Sequence, residues 1–283
     1  MNDIILSIPS GFDIFGWRIN FYGITSALSY LLGIIITCIV AKKRGFKFED
    51  IITLACYVIP LAIIGARLYY ILFRLDYYTN FWDIFKIWEG GLAFYGGLIG
   101  GALAVLLYCL IHKKSFFALI DIIAPALICG QALGRWGNFF NQEAYGFYIS
   151  DPKWQWFPFG VYIDHCTQPD CTCSGSGWHL ATFFYESLWN FITFAILMYL
   201  LYRVNFKRNG MVAAYYLILY GLGRMFIEGL RTDSLYLGSI RISQLLSVVF
   251  IILGLAMILY NTLTKKKNKD SFDKIMDVLK TDL

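Results

Sequence analysis

A dense group of polar side chains follows one of the long apolar stretches of this chain. Segment 134–146 carries Arg135, Asn138, Asn141 and Glu143. A charge at the centre of a membrane helix costs on the order of 2.5–3.5 kcal/mol, so such a group beside an apolar stretch needs a partner. A guanidinium offers paired donors that match a phosphate, and Asn amides add donors for phosphate or glycerol oxygens. The segment therefore predicts a binding site for an anion.

The side chains of this segment share a direction if the apolar helix continues past Gly134. They are then three or four residues apart and project from one side of the helix: Arg135, Asn138, Asn141 and Gln142. For Arg135 alone there is a simpler interpretation, a helix-end arginine that extends its stem toward the membrane surface. That interpretation explains neither the amides nor the carboxylate, so the anion site is favoured for the whole cluster.

A second polar stripe lies in another apolar stretch. Its members are separated by four, four and three residues, which aligns them on one helix face: Tyr220, Arg224, Glu228 and Arg231. Arg224 and Glu228 either neutralise each other as a structural ion pair, or Glu228 orients Arg224 toward an anion. Ionisable groups inside a membrane are functional candidates by default. Arg231, nearer the helix end, either contacts a lipid headgroup or extends to the surface.

Other polar or small residues stand in or at the ends of apolar stretches. Tyr95 either donates a hydrogen bond to a substrate oxygen or is an interfacial tyrosine, and Tyr22 has the same two interpretations. Gly96 and Gly97 permit either close helix packing or the approach of a headgroup. Arg67 has no carboxylate near it in sequence, and it either binds helix-end carbonyls or serves an anion.

The composition is that of an integral membrane protein. Of the 283 residues, 58% are hydrophobic and 15% are charged, whereas soluble domains are about half apolar and about a quarter charged. Continuous rather than alternating apolar runs exclude a β-barrel and predict an all-α polytopic protein with seven transmembrane helices of about 20 residues. The fourth run is interrupted by Asp121 and Pro125. The predicted spans are 21–41, 51–73, 92–111, 117–135, 181–202, 210–230 and 242–260.

The distribution of Lys and Arg predicts the orientation. Most of them lie in alternate connections and in the C-terminal segment, and the positive-inside tendency then predicts an external N-terminus and a cytoplasmic C-terminus. The aromatic-rich connection 136–180 is external on this reading and suits the headgroup layer. We expect one membrane domain at 1–264, a basic cytoplasmic tail at 265–283 with a short surface helix at 271–283, and no cleavable signal peptide.

The cysteines do not predict a metal centre. Cys166, Cys171 and Cys173 lie in the external connection near His165, but their spacing is not a usual zinc pattern. An external disulfide with one spare thiol is favoured there, and the cysteines within spans are expected to be apolar filler. The sequence has neither a phosphate-binding loop nor a Ser-His-Asp order. We expect no cofactor, no metal and no nucleic-acid partner.

Segment 134–146 resembles the signature of the bacterial prolipoprotein diacylglyceryl transferases. The matching pattern is Gly134-Arg135-x-Gly137-Asn138-Phe139-Phe140-Asn141-x-Glu143-x-x-Gly146. The resemblance implies seven transmembrane helices with an external N-terminus in the bacterial plasma membrane. It also implies transfer of diacylglycerol from phosphatidylglycerol to the lipobox cysteine of a prolipoprotein, with a thioether formed and glycerol phosphate released. The resemblance extends over nearly the whole chain, through Phe21-Tyr22-Gly23, Tyr95-Gly96-Gly97, Phe183-Phe184-Tyr185-Glu186-Ser187 and the stripe from Tyr220 to Arg231.

The residues and the resemblance together define the expected site. The expected partners are phosphatidylglycerol, prolipoprotein signal peptides with a lipobox cysteine, and the lipid bilayer. Because the substrate supplies the reactive thiol, the enzyme needs no cysteine of its own. The expected catalytic residues are Arg135, Arg224, Glu143 and Tyr95, and the expected substrate-binding residues are Tyr22, Asn138, Asn141, Gly146, Tyr220, Glu228, Gly96 and Gly97.

Two positions depart from the family pattern. The family often has histidine where this chain has Tyr95, and a phenol is a poor base at neutral pH. Glu143 or water then takes the thiol proton, or nearby positive charge lowers the pKa of the substrate's thiol. The usual His-Pro-Thr/Ser segment reads here His179-Leu180-Ala181-Thr182, with one extra residue and no proline. The role of His179 is therefore open.

A transporter or channel for an anionic solute is the alternative from another class of protein. It is motivated by Arg67 and Arg224, which lie inside apolar stretches. No pair of interrupted helices recurs in two halves of the sequence, as inverted repeats would require, so the transferase is favoured. A purely structural membrane scaffold leaves the polar clusters unexplained.

Overall fold

Seven long helices dominate the part of the chain that the computed structural model describes, residues 9–75, 80–87, 90–164, 176–204, 209–234, 236–238 and 240–281. All seven are long and apolar enough to cross a membrane. The predicted all-α, seven-span architecture is therefore confirmed. The helices are α1 (Phe21–Lys43), α2 (Phe48–Leu72), α3 (Phe94–His112), α4 (Phe116–Phe140), α5 (Thr182–Tyr199), α6 (Met211–Glu228) and α7 (Ile242–Thr281).

Several helix ends differ from the predicted spans. Helix α4 passes through Pro125 and continues to Phe140, and one π-helical turn, Leu200–Val204, extends α5. The backbone of α7 stays helical to Thr281, so the separate surface helix predicted at 271–283 is wrong. The sequence has no proline or glycine after Gly254 to end α7 earlier.

Three short antiparallel hairpins, which the sequence analysis did not predict, accompany the helices. Each consists of two strands of two to four residues, too short for an alternating pattern to be recognised in the sequence. Phe15 and Gly16 have φ values of 49° and 82°, as the tight turn of a two-residue hairpin requires. The strand pairs are β1 (Gly11–Ile14) with β2 (Trp17–Asn20), β3 (Gly160–Ile163) with β4 (Gly177–Leu180), and β5 (Tyr236–Leu237) with β6 (Ile240–Arg241).

The chain divides into two compact units. The first unit comprises Met1–Gly33 and Ala124–Leu283, and the second comprises Ile34–Ile123. Helices α1 and α4 are each divided between the two units. The predicted boundary between a membrane domain at 1–264 and a tail at 265–283 stays a prediction.

Close packing of α2 on α3 organises the second unit. A Cβ at Gly96 would meet the carbonyl oxygen of Gly65 and the Cβ of Tyr69, so only glycine lets the two backbones approach this closely. A Cβ at Gly97 would have ordinary contacts, 3.6 Å from the Ala62 carbonyl oxygen. Packing therefore accounts for Gly96, the first of the two alternatives that the sequence left open.

Arg67 on α2 is held by the backbone of the connection that follows α2. Its side chain is buried, and its guanidinium donates to five carbonyl oxygens, which offset the cost of burying the charge. The structural interpretation is confirmed, because three of the five carbonyls come from the end of a short 3₁₀ helix, Phe81–Phe85 with its cap Lys86, in the α2–α3 connection. Nε donates to Ile84 O at 2.8 Å, Nη1 to Gly90 O at 2.7 Å and Gly91 O at 3.1 Å, and Nη2 to Asp83 O at 2.7 Å and Lys86 O at 3.4 Å.

Asp121, one of the residues that interrupt the fourth apolar run, also has a partner in the second unit. Asp121 is fully buried, and its carboxylate lies 3.8 Å from Nη2 of Arg44, just beyond the end of α1. An ion pair of this kind allows a carboxylate to remain inside an otherwise apolar helix. Asp121 therefore does not end α4.

A small hydrophobic core in the first unit lies beneath the connection between α4 and α5. Trp136 and Phe139, from the last turns of α4, pack against this core. The core therefore fixes the end of α4 against β3, β4 and the start of α5. Its buried members are Tyr145, Val161, Ile163, Ala181 and Phe183.

Candidate active site

A buried carboxylate on α5 lies between two arginines from neighbouring helices of the first unit. Glu186 is 3% exposed. Its Oε1 is 2.6 Å from Nη2 of Arg135 on α4, and its Oε2 is 2.7 Å from Nη1 of Arg224 on α6. The two arginines that the sequence identified separately thus meet at one carboxylate, which sequence reasoning did not assign to the site.

Glu228 completes an alternating row of charges. Its Oε2 lies 2.7 Å from Nη2 of Arg224, one helical turn away on α6. Desolvation costs several kcal/mol per buried ion, and removing one partner from such a network typically costs about 3–5 kcal/mol. The predicted ion pair of Arg224 with Glu228 is confirmed, and Arg224 also reaches the carboxylate that holds Arg135.

Arg135 also starts a chain of hydrogen bonds that leads to an exposed carboxylate. Its Nη1 donates to Oδ1 of Asn138 at 3.3 Å, and Nδ2 of Asn138 donates to Oε1 of Glu143 at 2.8 Å. Nδ2 of Asn141 approaches the same Glu143 oxygen at 3.5 Å. Four polar residues of segment 134–146 therefore form one connected network.

The prediction that the helix carries the whole cluster is wrong beyond Phe140. Helix α4 ends there, and Asn141 and Gln142 lie in the turn that follows. The φ values of Gln142 and Ala144 are 50° and 59°, a region that residues with a side chain rarely adopt. The amide of Gln142 is used elsewhere, because it donates to Oδ2 of Asp164 at 2.7 Å and accepts from the Asp164 backbone N–H at 2.7 Å.

Two tyrosines flank the charged row. The ring of Tyr22, at the start of α1, lies over α4 so closely that a Cβ at Gly137 would come within 2.7 Å of it. Tyr220 is one turn before Arg224 on α6, and its ring stacks on that of Tyr216 with centroids 5.7 Å apart. Tyr22 therefore packs against the end of α4 that carries Arg135, and Tyr220 lies on the turn of α6 before Arg224.

Gly146 lies where the connection between α4 and α5 meets the segment that follows α6. Its N–H donates to Leu180 O at 2.9 Å, and a Cβ would come within 2.7 Å of Leu230 O. Nδ1 of the buried His179 donates to the Gly146 carbonyl oxygen at 3.0 Å. The structure therefore gives Gly146 a packing reason for lacking a side chain, and it gives His179 a structural partner.

Arg231 has a partner that the sequence analysis did not consider. Its guanidinium donates two hydrogen bonds to Asp233, from Nε at 2.8 Å and from Nη2 at 2.7 Å. The sequence analysis considered only a headgroup contact or an extension to the surface for Arg231, and neither alternative included this pairing with Asp233. Arg241, which the sequence analysis assigned to no site, donates from Nη1 to the carbonyl oxygen of Glu228.

Three of the remaining predicted residues belong to the other compact unit. Tyr95, Gly96 and Gly97 belong to the second unit, at the start of α3. The ring of Tyr95 lies 6.4 Å from that of Tyr69 on α2, measured between centroids. The Cys-rich loop that was predicted to be external, with His165, Cys166, Cys171 and Cys173, lies outside the described residues.

A match to a known protein family identifies the family of this chain. Residues 9–260 match the model of the prolipoprotein diacylglyceryl transferases. This chain belongs to that family. The resemblance seen in segment 134–146 is thereby confirmed. Family membership and the seven apolar helices together make it a multi-pass protein of the bacterial inner membrane.

Relatives of this transferase family member are similar over nearly their full length. The phosphatidylglycerol–prolipoprotein diacylglyceryl transferase 1 of Clostridium perfringens (strain 13 / Type A) is 44% identical over 269 residues, which cover 93% of this chain and 98% of the relative. The corresponding Clostridium botulinum protein (strain Langeland) is 45% identical over 264 residues, covering 92% and 98%. That of Streptococcus pneumoniae (strain ATCC 700669) is 42% identical over 250 residues, covering 87% and 91%.

Glu186 is the member of the charged row that sequence reasoning missed. One signal was available in the sequence. Glu186, Asn190 and Thr193 are spaced by four and three residues, which places a polar stripe on one face of an apolar helix. A polar stripe in a transferase span faces the bundle interior, where a carboxylate needs a cation from a neighbouring helix.

His179 generates a prediction about stability and pH. Burial lowers its pKa below the ordinary 6.5, more than the hydrogen bond to Gly146 raises it. As pH falls below about 6.5 the unfolded chain therefore takes up a proton that the folded chain refuses, and stability is lost. The His179→Asn variant keeps an N–H for the Gly146 carbonyl but does not titrate. Between about pH 7.5 and 5.5, its thermal midpoint in detergent should fall less than that of the wild type.

The pH range of this comparison lies mostly above the titration of exposed carboxylates. The slope of the thermal midpoint against pH is measured for the wild type and for the His179→Asn variant. The difference between these two slopes therefore reports on His179. Equal slopes in the wild type and the His179→Asn variant would show that His179 is protonated as readily in the folded chain as in the unfolded one.

Proposed function

We propose that this protein transfers the diacylglyceryl group of phosphatidylglycerol to the lipobox cysteine thiol of a prolipoprotein. Its relatives carry this activity in their names. The observation that carries the proposal is Glu186, whose two oxygens hold Arg135 and Arg224 at one end of three apolar helices. We place this end at the outer face of the membrane, with the N-terminus outside.

The proposed reaction is a displacement at a glycerol carbon. The thiolate sulfur attacks the carbon that bears the phosphate ester, so a C–S bond forms and a C–O bond breaks. The electron pair leaves with the oxygen of glycerol phosphate, and the thiol proton passes to a base or to water. The products are a thioether and glycerol phosphate, whose phosphate has gained one negative charge.

The paired arginines suit the charge that develops on the leaving group. Donors already aimed at such charge usually make the largest contribution to catalysis. The Arg135 side chain is 22% exposed and that of Arg224 is 13% exposed. We therefore assign Arg135 to the phosphate itself, and Arg224 to the deeper position where it holds Glu186 and strengthens the positive potential.

Glu143 is the proposed acceptor of the thiol proton. It is exposed, and the amides of Asn138 and Asn141 orient it. The arginines support this step, because positive charge favours the thiolate, the reactive form of cysteine. The other residues proposed to line the substrate path are Tyr22, Tyr220, Glu228, Gly146, Gly96 and Gly97.

The anion-transporter alternative has lost its motivation. Arg67 is occupied by five backbone carbonyls, and Arg224 is paired with Glu186 and Glu228. Neither arginine is needed for a solute pathway.

A direct assay tests the proposed function. The purified protein, mixed with phosphatidylglycerol and a peptide that contains a lipobox cysteine, should add a diacylglyceryl mass to the peptide and release an equal amount of glycerol phosphate. Arg135→Ala should lower the rate by at least about 100-fold, since it removes a donor aimed at the leaving phosphate. Mass spectrometry of the peptide measures both results.

The matched control is Arg74→Ala, which removes an exposed arginine just beyond α2 and should keep the wild-type rate. No adduct from folded protein would refute the transferase, and saturable uptake of an anion into liposomes without lipid consumption would favour transport. A wild-type rate for Arg135→Ala would remove Arg135 from the phosphate role.

Glu186→Gln tests whether Glu186 acts by positioning the arginines. Loss of the carboxylate should lower kcat by about 100-fold, because neither guanidinium is then held in place. The KM for phosphatidylglycerol should not rise, since the anionic lipid meets more positive charge. Glu186→Asp should restore part of kcat. A raised KM with unchanged kcat would contradict the positioning role.

Tyr95 is proposed to hold or protonate a substrate oxygen with its hydroxyl. Tyr95→Phe should lower kcat/KM by about tenfold, the value of one good hydrogen bond, and Tyr95→His should retain more activity than Tyr95→Phe. Tyr57→Phe, which removes a tyrosine hydroxyl from α2 instead, is the control. Equal activity of Tyr95→Phe and wild type would leave Tyr95 no role in the reaction.

A further inference from the structure

Polar side chains continue below the arginine pair into the apolar part of the first unit. They lie one or two helical turns from the charged residues on each of the three helices that form the site: before the arginine on α4 and α6, and after Glu186 on α5. Because α4 and α6 run toward the site and α5 runs away from it, all of these positions lie on the same side of the charged row. They are Gln131 on α4, Asn190 and Thr193 on α5, and Tyr220 and Tyr216 on α6.

Hydrogen bonds hold these three helices side by side at this depth. Oγ of Ser187 on α5 donates to Ala132 O on α4 at 2.8 Å. Nε1 of Trp189 on α5 donates to Leu219 O on α6 at 2.8 Å. The face of α5 between these two contacts, which carries Asn190, therefore points into the space bounded by all three helices.

Asn190 and Thr193 contribute donors that the protein itself does not use. Each residue is 1% exposed. Within the described part of the chain, neither Nδ2 of Asn190 nor Oγ1 of Thr193 has a hydrogen-bond partner. A buried donor left in this state costs about 1–3 kcal/mol, and folded proteins contain few of them. Two such donors on one helix face indicate a ligand with hydrogen-bond acceptors.

Their neighbours at the same depth are satisfied. Nε2 of Gln131 donates to Oη of Tyr216 at 3.1 Å, which joins α4 to α6. The unused donors are therefore confined to α5 and are not a general property of this polar layer.

We propose that Asn190 and Thr193 bind the ester carbonyl oxygens of the lipid substrate. The inference rests on the proposed function, in which Arg135 holds the lipid phosphate. A helix rises 1.5 Å per residue, so Asn190 lies about 6 Å and Thr193 about 10 Å deeper than Glu186. The headgroup layer between water and hydrocarbon is roughly 5–7 Å thick. The ester groups of a diacylglycerol lie at the inner edge of that layer, at the depth of these donors.

The chemistry of the ester matches the two side chains. An ester carbonyl accepts hydrogen bonds and donates none, and a diacylglycerol has two of them. Binding at both carbonyls fixes the depth of the glycerol backbone, and it thereby presents the carbon that bears the phosphate to the incoming sulfur. A buried water molecule is the other source of a neutral acceptor, and the experiment below separates the two.

The test compares phosphatidylglycerol that carries two ester-linked chains with its dialkyl ether analogue. The ether lipid keeps the phosphate and the reacting carbon but lacks both carbonyl oxygens. The wild type should use the ester lipid with a kcat/KM higher by roughly two- to tenfold per donor, the range expected for single hydrogen bonds. The peptide adduct is measured for each lipid in the same micelles.

Three variants test whether the preference for the ester lipid comes from Asn190 and Thr193. Asn190→Leu and Thr193→Val should lower kcat/KM on the ester lipid and leave it unchanged on the ether lipid, whereas Thr193→Ser should retain the preference. The matched control is Ser247→Ala, which removes a buried hydroxyl that donates to Ser243 O at 2.7 Å within its own helix. It should change neither lipid's kcat/KM.

Each result decides between the alternatives. Equal use of both lipids by the wild type overturns the inference, and so does an equal loss on both lipids in the variants, which assigns the donors to water or to packing. No adduct with either lipid refutes the proposed function itself. If Asn190→Leu does not fold, the near-isosteric Thr193→Val and Thr193→Ser pair decides the outcome.

Discussion

One ion-pair network, Arg135 to Glu186 to Arg224, determines how α4, α5 and α6 meet. Each of these charges stands at the end of an apolar helix, where an unpaired ion is costly. Because a single carboxylate serves both guanidiniums, a shift of α5 by one turn would separate both arginines from Glu186 and leave Arg135 without its buried carboxylate. The heights of the three helices relative to one another are therefore set at this end of the first unit.

The rest of the site is arranged around this network according to exposure. Glu228 adds a second buried carboxylate one helical turn after Arg224, so two buried carboxylates balance the charges of the two arginines. Toward the surface, Asn138 connects Arg135 to the exposed Glu143 through a turn with unusual backbone angles. A small core under the connection between α4 and α5 holds that turn in place. Ion pairs hold the buried part of the site together, and Glu143, which has no ion pair among the described residues, is exposed.

Depth in the membrane connects the proposed reaction to the bundle. In the proposed reaction the charged row binds the lipid phosphate, and the polar side chains below it bind the ester groups of the same lipid. Bilayers impose this order of charged, polar and apolar layers on every phospholipid. A protein that acts on such a lipid is most stable when charged, polar and apolar side chains follow the same order along its helices, because each layer then contacts lipid groups of matching polarity.

The amino-acid sequence by itself determined the seven spans, the helical class and the positions of both arginine clusters. These are local properties: a span is a continuous apolar run, and a cluster on one helix face follows from spacing alone. The tertiary structure decided that Glu186 joins the clusters, that Gln142 pairs with Asp164, and that Gly146 must lack a side chain. Each of these depends on contacts between residues far apart in the chain, and no local pattern records which helix faces which. The charges were visible in the sequence, and only the packing of α4, α5 and α6 assigned their partners.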